Sequence, residues 1–286
     1  MKWKIKGLEI GEEQPCRIVA ELGTLNLLDM DDLWSAVKEA FQIGADMVKV
    51  QAVNWRTAWW ASEGQIGRYK TLEEHSGIGP DKPVLDDFLR DVNKEFAGPV
   101  FSSIFDRCFI TERFLKYSPA VKLGWKANAM PALIEEVFKK SNTPVVWSMN
   151  GLEYWRYGME VKSQDKLYDR EATVAPRVAK LAFHERTIRL FVQTLYPVPE
   201  EKQMIPRFES LWHGISAHSS DEKYLRAALA MGAKMMEVHC ALGKAEGPDT
   251  AFALDSEKLK RLIDLKKKWE IKENGQSEIP VSAGNA

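Results

Sequence analysis

Strand-like and helix-like segments alternate along nearly the whole chain, and that alternation restricts the fold more than any other feature. Residues 16–21, 47–51, 100–103, 120–123, 144–148, 190–193, 213–218 and 234–240 read as short strands. Helical patterns lie between them. Residues 30–43 place apolar side chains at three- and four-residue spacing, 83–96 open on a proline, and 256–269 carry alternating charge on the outer face. Eight β-then-α units in 286 residues predict an α/β fold, a closed (β/α)8 TIM barrel over 1–270, with 271–286 as a polar tail. An internal echo supports repeated units: IGADMVKVQ (43–51) and MGAKMMEVH (231–239) both put Gly directly after a helix and then enter a strand. The stretch from 52 to about 82 is long and poorly periodic.

Composition narrows the function classes. A formal net charge of −1 gives no global attraction to nucleic acid or to an anionic membrane. No apolar run approaches the roughly 18–20 residues that span a bilayer, and the start, MKWKIKG, lacks the apolar core of a signal peptide. Cys16, Cys108 and Cys240 are scattered without CxxC spacing, which fits free thiols in a reducing cytoplasm. Trp55, Trp59 and Trp60 cluster in one apparent loop and read as a lid, a subunit contact or a substrate wall.

Reactive groups in such barrels gather at the C-terminal ends of the strands. Here those positions hold Glu21, Lys49, Gln51, Ser103, Lys122, Ser148, Tyr196, Ser216, His218 and His239. So many polar groups facing one cavity are costly for packing alone. Lysines and serines suit a phosphate-bearing anion. Two neutral imidazoles, in GISAH (214–218) and MMEVH (235–239), suit a borderline divalent metal such as Mn, Zn, Fe or Co. Side chains two apart on a strand share a face, so Ser216 goes with His218 and Glu237 with His239. The competing reading is two separately hydrogen-bonded core histidines, and any one serine taken alone also fits a packed barrel corner.

Taken in order, these strand ends resemble the N-acetylneuraminate (sialic acid) synthase family and its relatives making other nonulosonic acids. The resemblance runs from about residue 10 to 263. IVAELG (18–23) is similar to the family's IIAEIG, GADMVKVQ (44–51) to GADAVKFQ, and FSSIFD (101–106) to FSTPFD. Tyr196-Pro197, GISAH for GYSDH, the Glu237-Val238-His239 triplet for EKH, and Gly247-Pro248-Asp249 for GPD follow. The resemblance implies a barrel that condenses phosphoenolpyruvate with an aldose or N-acetylhexosamine-type aldehyde. It places a divalent metal, Mn first and Mg, Co or Zn after it, on His218 and His239. Phosphoenolpyruvate falls to Lys49, Ser103, Lys122, Ser148 and Ser216. Gln51, Tyr196 and Asp249 match positions near the acceptor or the mouth, and Glu21 is the candidate for the proton of the attacking water.

The departures concentrate on the acceptor side. EIGxNH becomes ELGTLN (21–26), losing an Asn and a His. KIGSGE becomes KLGWKA (122–127), with Trp125 for a serine that helps hold phosphate in the family and Ala127 for an acceptor-facing glutamate, and Thr194 replaces an asparagine. The resemblance stops before the family's C-terminal antifreeze-like domain, so a homodimer here needs a different surface. A retuned site rejects analogues that lack the groups it binds, so the expected acceptor is a non-standard aldehyde. Another metal-dependent barrel aldolase or lyase, or a non-catalytic sugar-acid-binding relative, are the alternatives.

Overall fold

The computed structural model describes residues 2–23, 29–58, 63–78, 83–150, 174–208 and 211–273. Thr24, Leu25, Asn26, Trp59, Trp60 and most of the polar tail lie outside the described residues. The barrel strands are β3 (Arg17–Gly23), β4 (Met47–Ala52), β5 (Val100–Ile104), β6 (Val121–Leu123), β7 (Val145–Met149), β8 (Thr187–Val192), β9 (Gly214–Ala217) and β10 (Met235–His239). All pair in parallel and β10 returns to β3, closing an eight-stranded TIM barrel. Each expected strand is present, with β8 beginning three residues early, at Thr187.

The covering helices are α1 (Met30–Ile43), α2 (Glu63–Ser76), α3 (Val84–Glu95), α4 (Glu112–Tyr117), α5 (Pro131–Lys140), α6 (Glu222–Ala230) and α7 (Ser256–Glu273). Among the described residues, the unit after β7 shows a 3-10 turn, Pro176–Phe183, and the unit after β8 another, Glu200–Lys202. α1 shows how local chemistry sets the boundaries. The Asp29 carboxylate accepts from the Asp31 and Asp32 amides at its start, and Gly44 ends it at φ 113°, a left-handed conformation that glycine adopts freely. α2 falls in the stretch that reads as poorly periodic, because its sequence has no apolar stripe.

An N-terminal hairpin, β1 (Lys2–Ile5) with β2 (Leu8–Gly11), was not expected. Its signal is the alternation KWKI before a left-handed Gly7. Trp3, Ile5 and Ile10 pack with Val19, Met47, Phe101, Val146 and Met235, forming an apolar plug at the N-terminal end of the barrel interior. Asp46 ties the same end together. It accepts from the Ile18 amide at 2.8 Å and from the Lys266 ammonium of α7 at 2.6 Å.

Two residues beyond that apolar layer, the same strands carry Glu21, Lys49, Ser103, Ser148 and Glu237, so period-two alternation raises a polar layer above the plug. Gly214 is the tight point of the wall, since a Cβ there would collide with the Met235 carbonyl of β10. Gly214→Ala is therefore expected to cost about 2–3 kcal/mol, read as a lower urea midpoint with unchanged m-value.

Candidate active site

Strand β4 delivers Lys49 and Gln51, β6 delivers Lys122, β7 Ser148, β9 Ser216, and β10 Glu237 and His239. His218 follows β9 directly, and Asp249 comes from the 3-10 turn Pro248–Ala251. All of these line one cavity of about 290 Å³, together with Tyr196, Trp125, Lys126, Phe105 and Phe252. Three expected site residues sit elsewhere. Ser103 is fully buried with its hydroxyl 3.5 Å from the Val50 carbonyl, Glu21 is buried behind Lys49, and Thr194 is half-buried off the cavity wall.

The floor is organised around Glu237, which the sequence reading placed on the His239 face without giving it a role. Its carboxylate accepts from Ser216 Oγ at 2.8 Å and lies 3.4 Å from the Lys122 ammonium and 3.7 Å from that of Lys49. Lys122 also donates to Ser148 Oγ at 2.8 Å. Lys49 is in direct contact with Glu21, although neither Glu21 oxygen makes an aligned hydrogen bond. Two lysines and two glutamates thus face one another in the buried floor of the cavity. Burial alone would raise the Glu237 carboxyl, but Lys122, Lys49 and the Ser216 hydroxyl outweigh it and hold it below the usual range. Burial, helped by the neighbouring Lys122, pushes Lys49 down to about 7 against the pull of Glu237 and Asp249.

The mouth is built from rings. Tyr196 stacks on His218 with centroids 3.9 Å apart, and Phe252 meets His239 edge-on at 4.9 Å. The two imidazoles lie 5.3 Å apart. Burial pushes His218 down to about 3 and drives His239 well below the usual value, so both are neutral at pH 7. His218 Nδ1–H donates to the Gln193 carbonyl at 2.7 Å, which leaves Nε2 as the lone-pair nitrogen. His239 Nδ1 is buried without a hydrogen-bond partner, and the nearest Asp249 oxygen is 3.7 Å away. A neutral imidazole oriented through its far nitrogen, beside a second with an orphaned nitrogen, fits a divalent cation of the Mn–Zn series. Among the described residues no three His, Cys, Asp or Glu side chains cluster as ligands, so the fit is to an ion that completes its shell with water and substrate oxygens.

Gln65 and Tyr69 of α2 also line the cavity, and no motif in the poorly periodic stretch announced them. Ala127 does not face the cavity; it packs in the main core. Trp55 lies beneath Arg56 and Lys70, with Arg56 4.7 Å from the ring.

Residues 184–277 match the profile of the NeuB family, and this stretch holds Ser216, His218, Glu237, His239 and Asp249. The match spans about a third of the chain. An uncharacterised protein of Methanocaldococcus jannaschii is 24% identical over 272 residues, 92% of this chain and 73% of that relative. Among solved structures, the barrel is similar to an N-acetylneuraminic acid (sialic acid) synthetase from Leptospira borgpetersenii serovar Hardjo-bovis. That likeness has 18% identity and a TM-score of 0.74, covering 99% of this chain and 93% of the other. A spore coat polysaccharide biosynthesis protein from Bacillus subtilis follows at 21% identity and TM-score 0.68, covering 99% and 76%. At these identities the structural likenesses establish the fold. Among the described residues no helix is long and apolar enough to cross a membrane.

Proposed function

We propose that this protein condenses phosphoenolpyruvate with an aldehyde sugar, giving a 2-keto-3-deoxy sugar acid and phosphate. The observation that carries this reading is the floor, where two buried lysines and the Ser216 hydroxyl converge on Glu237, and Lys122 also donates to Ser148, beneath two neutral imidazoles. A phosphoenolpyruvate anion entering there takes over ammonium groups now balanced by carboxylates. Lys49 and Lys122 neutralise its charge, while Ser148 and Ser216 fix its orientation. The enol carbon then forms a bond to the aldehyde carbon, the carbonyl π pair passing to the aldehyde oxygen. Water adds to the cationic C2 that results, and its released proton ends on the former aldehyde oxygen as the product hydroxyl. Glu21 and Glu237, one contacting Lys49 and the other between both lysines, accept the water proton through that network. Breaking the bond from C2 to the phosphate oxygen releases phosphate and leaves the ketone. His218 and His239 would hold the divalent metal, which supplies Lewis acidity toward a carbonyl oxygen when bound.

Phosphate release is the direct test, measured with phosphoenolpyruvate, Mn and a panel of aldoses and N-acetylhexosamines, with mass detection of products. Acceptor-dependent phosphate together with a product of the summed mass supports the synthase. Cleavage of 2-keto acids without phosphoenolpyruvate-dependent phosphate would replace it with an aldolase.

Binding also carries a pH signature. Lys49 loses its proton near 7 in the free protein, and an adjacent anion favours the charged form and raises that value. Phosphoenolpyruvate should therefore bind fully below pH 7 and weaken about tenfold per unit above it, up to the pKa in the complex. Calorimetry at pH 8 in two buffers of different ionisation enthalpy should show uptake of up to one proton. Zero uptake would mean that Lys49 is already charged.

A further inference from the structure

The cavity above the lysines is small. Its volume of about 290 Å³ falls just below the roughly 300–1,000 Å³ of pockets holding one drug-sized ligand, yet a condensation brings two reactants into it. Trp125 is part of its wall. It opens the 3-10 turn Trp125–Ala129 after β6 and reaches across to the loop after β8, where its indole N–H donates to the Tyr196 phenol oxygen at 2.6 Å. Tyr196 lies flat against His218, and Phe252 closes the other side against both histidines. The walls around the imidazoles are therefore ring faces, and the indole N–H is already committed to Tyr196. Ala127, in the same turn, faces the core and offers no polar atom. Gln51 and Asp249 remain on the wall to meet sugar hydroxyls.

We infer that Trp125 is the specificity-determining residue of the acceptor site, and that it restricts the acceptor to short aldoses, triose to pentose, excluding N-acetylhexosamines. The inference rests on the condensation reading and names the second substrate of the same cavity. Bulk at Trp125 sets the limit, with the bridge to Tyr196 holding that bulk in place.

The test compares the full-length protein with Trp125→Ala and Trp125→Phe, with Mn and saturating phosphoenolpyruvate. Glyceraldehyde, erythrose, arabinose and N-acetylmannosamine serve as acceptors. The native protein should favour the short aldoses by at least about tenfold in kcat/KM. Trp125→Ala should erase or invert that ratio, Trp125→Phe should largely keep it, and phosphoenolpyruvate affinity should not move in either. A native preference for N-acetylmannosamine, or a ratio untouched in Trp125→Ala, overturns the inference. Binding of the unreactive erythritol and N-acetylmannosaminitol separates the two readings. If no aldehyde releases phosphate, a selective gain for the larger alditol in Trp125→Ala keeps the size limit and rejects condensation. No such gain rejects both.

Discussion

Replacing Lys122 with Met is expected to lower stability by about 3–5 kcal/mol, because it breaks a buried charge pair from one side. Lys122 is 1% exposed, and its ammonium lies 3.4 Å from Glu237 and 2.8 Å from Ser148 Oγ. Met fills the space but leaves Glu237 with the more distant Lys49, at 3.7 Å, and the Ser216 hydroxyl. Glu237→Gln in the same chain removes the stranded charge, so the double variant should recover the larger part of the loss. Urea unfolding of the native protein, both single variants and the double variant closes the cycle. Additive losses would show that Lys122 and Glu237 do not act as a pair. Both single variants should also lose phosphoenolpyruvate binding, which calorimetry reads separately from unfolding.

The second large effect is on chemistry and should leave folding nearly intact. His239 is neutral, its Nδ1 has no hydrogen-bond partner, and its ring meets Phe252 and His218 edge-on. His239→Ala therefore removes a nitrogen that has no partner, and its cost to folding is the space left by a ring that already borders the cavity. Divalent-metal affinity and metal-dependent phosphate release should each fall by more than about a hundredfold. Metal content after dialysis and phosphate release measure the two. Retained metal with normal turnover would remove His239 from the site. His218→Ala differs, because it frees the Gln193 carbonyl and removes the surface on which Tyr196 stacks.

The polar layer shows how far local pattern reaches. Lys49, Lys122, Ser148, Ser216 and His239 could be placed on one cavity from strand order and period alone, because a closed parallel barrel turns alternate residues of every strand inward. That rule does not say who pairs with whom. Glu237 sits two residues before His239 and was visible, but its place between two lysines depends on strands β4, β6 and β10 meeting across the barrel. Gln65 and Tyr69 come from a helix with no apolar stripe, so nothing local tied them to the site. Ala127, read as a lost acceptor group, belongs to the core, because the 3-10 turn after β6 directs it there.

By itself the sequence determined the repeating βα order, the closed barrel it requires, and the strand-end residue types. These follow from hydrophobic periodicity and chain length, which act over a few neighbours at a time. Only the tertiary structure decided the charge balance of the floor, the neutral state of both histidines and the ring-walled mouth. Each depends on desolvation and on distances of a few ångströms between residues far apart in the chain, such as Trp125 and Tyr196, or Lys122 and Glu237.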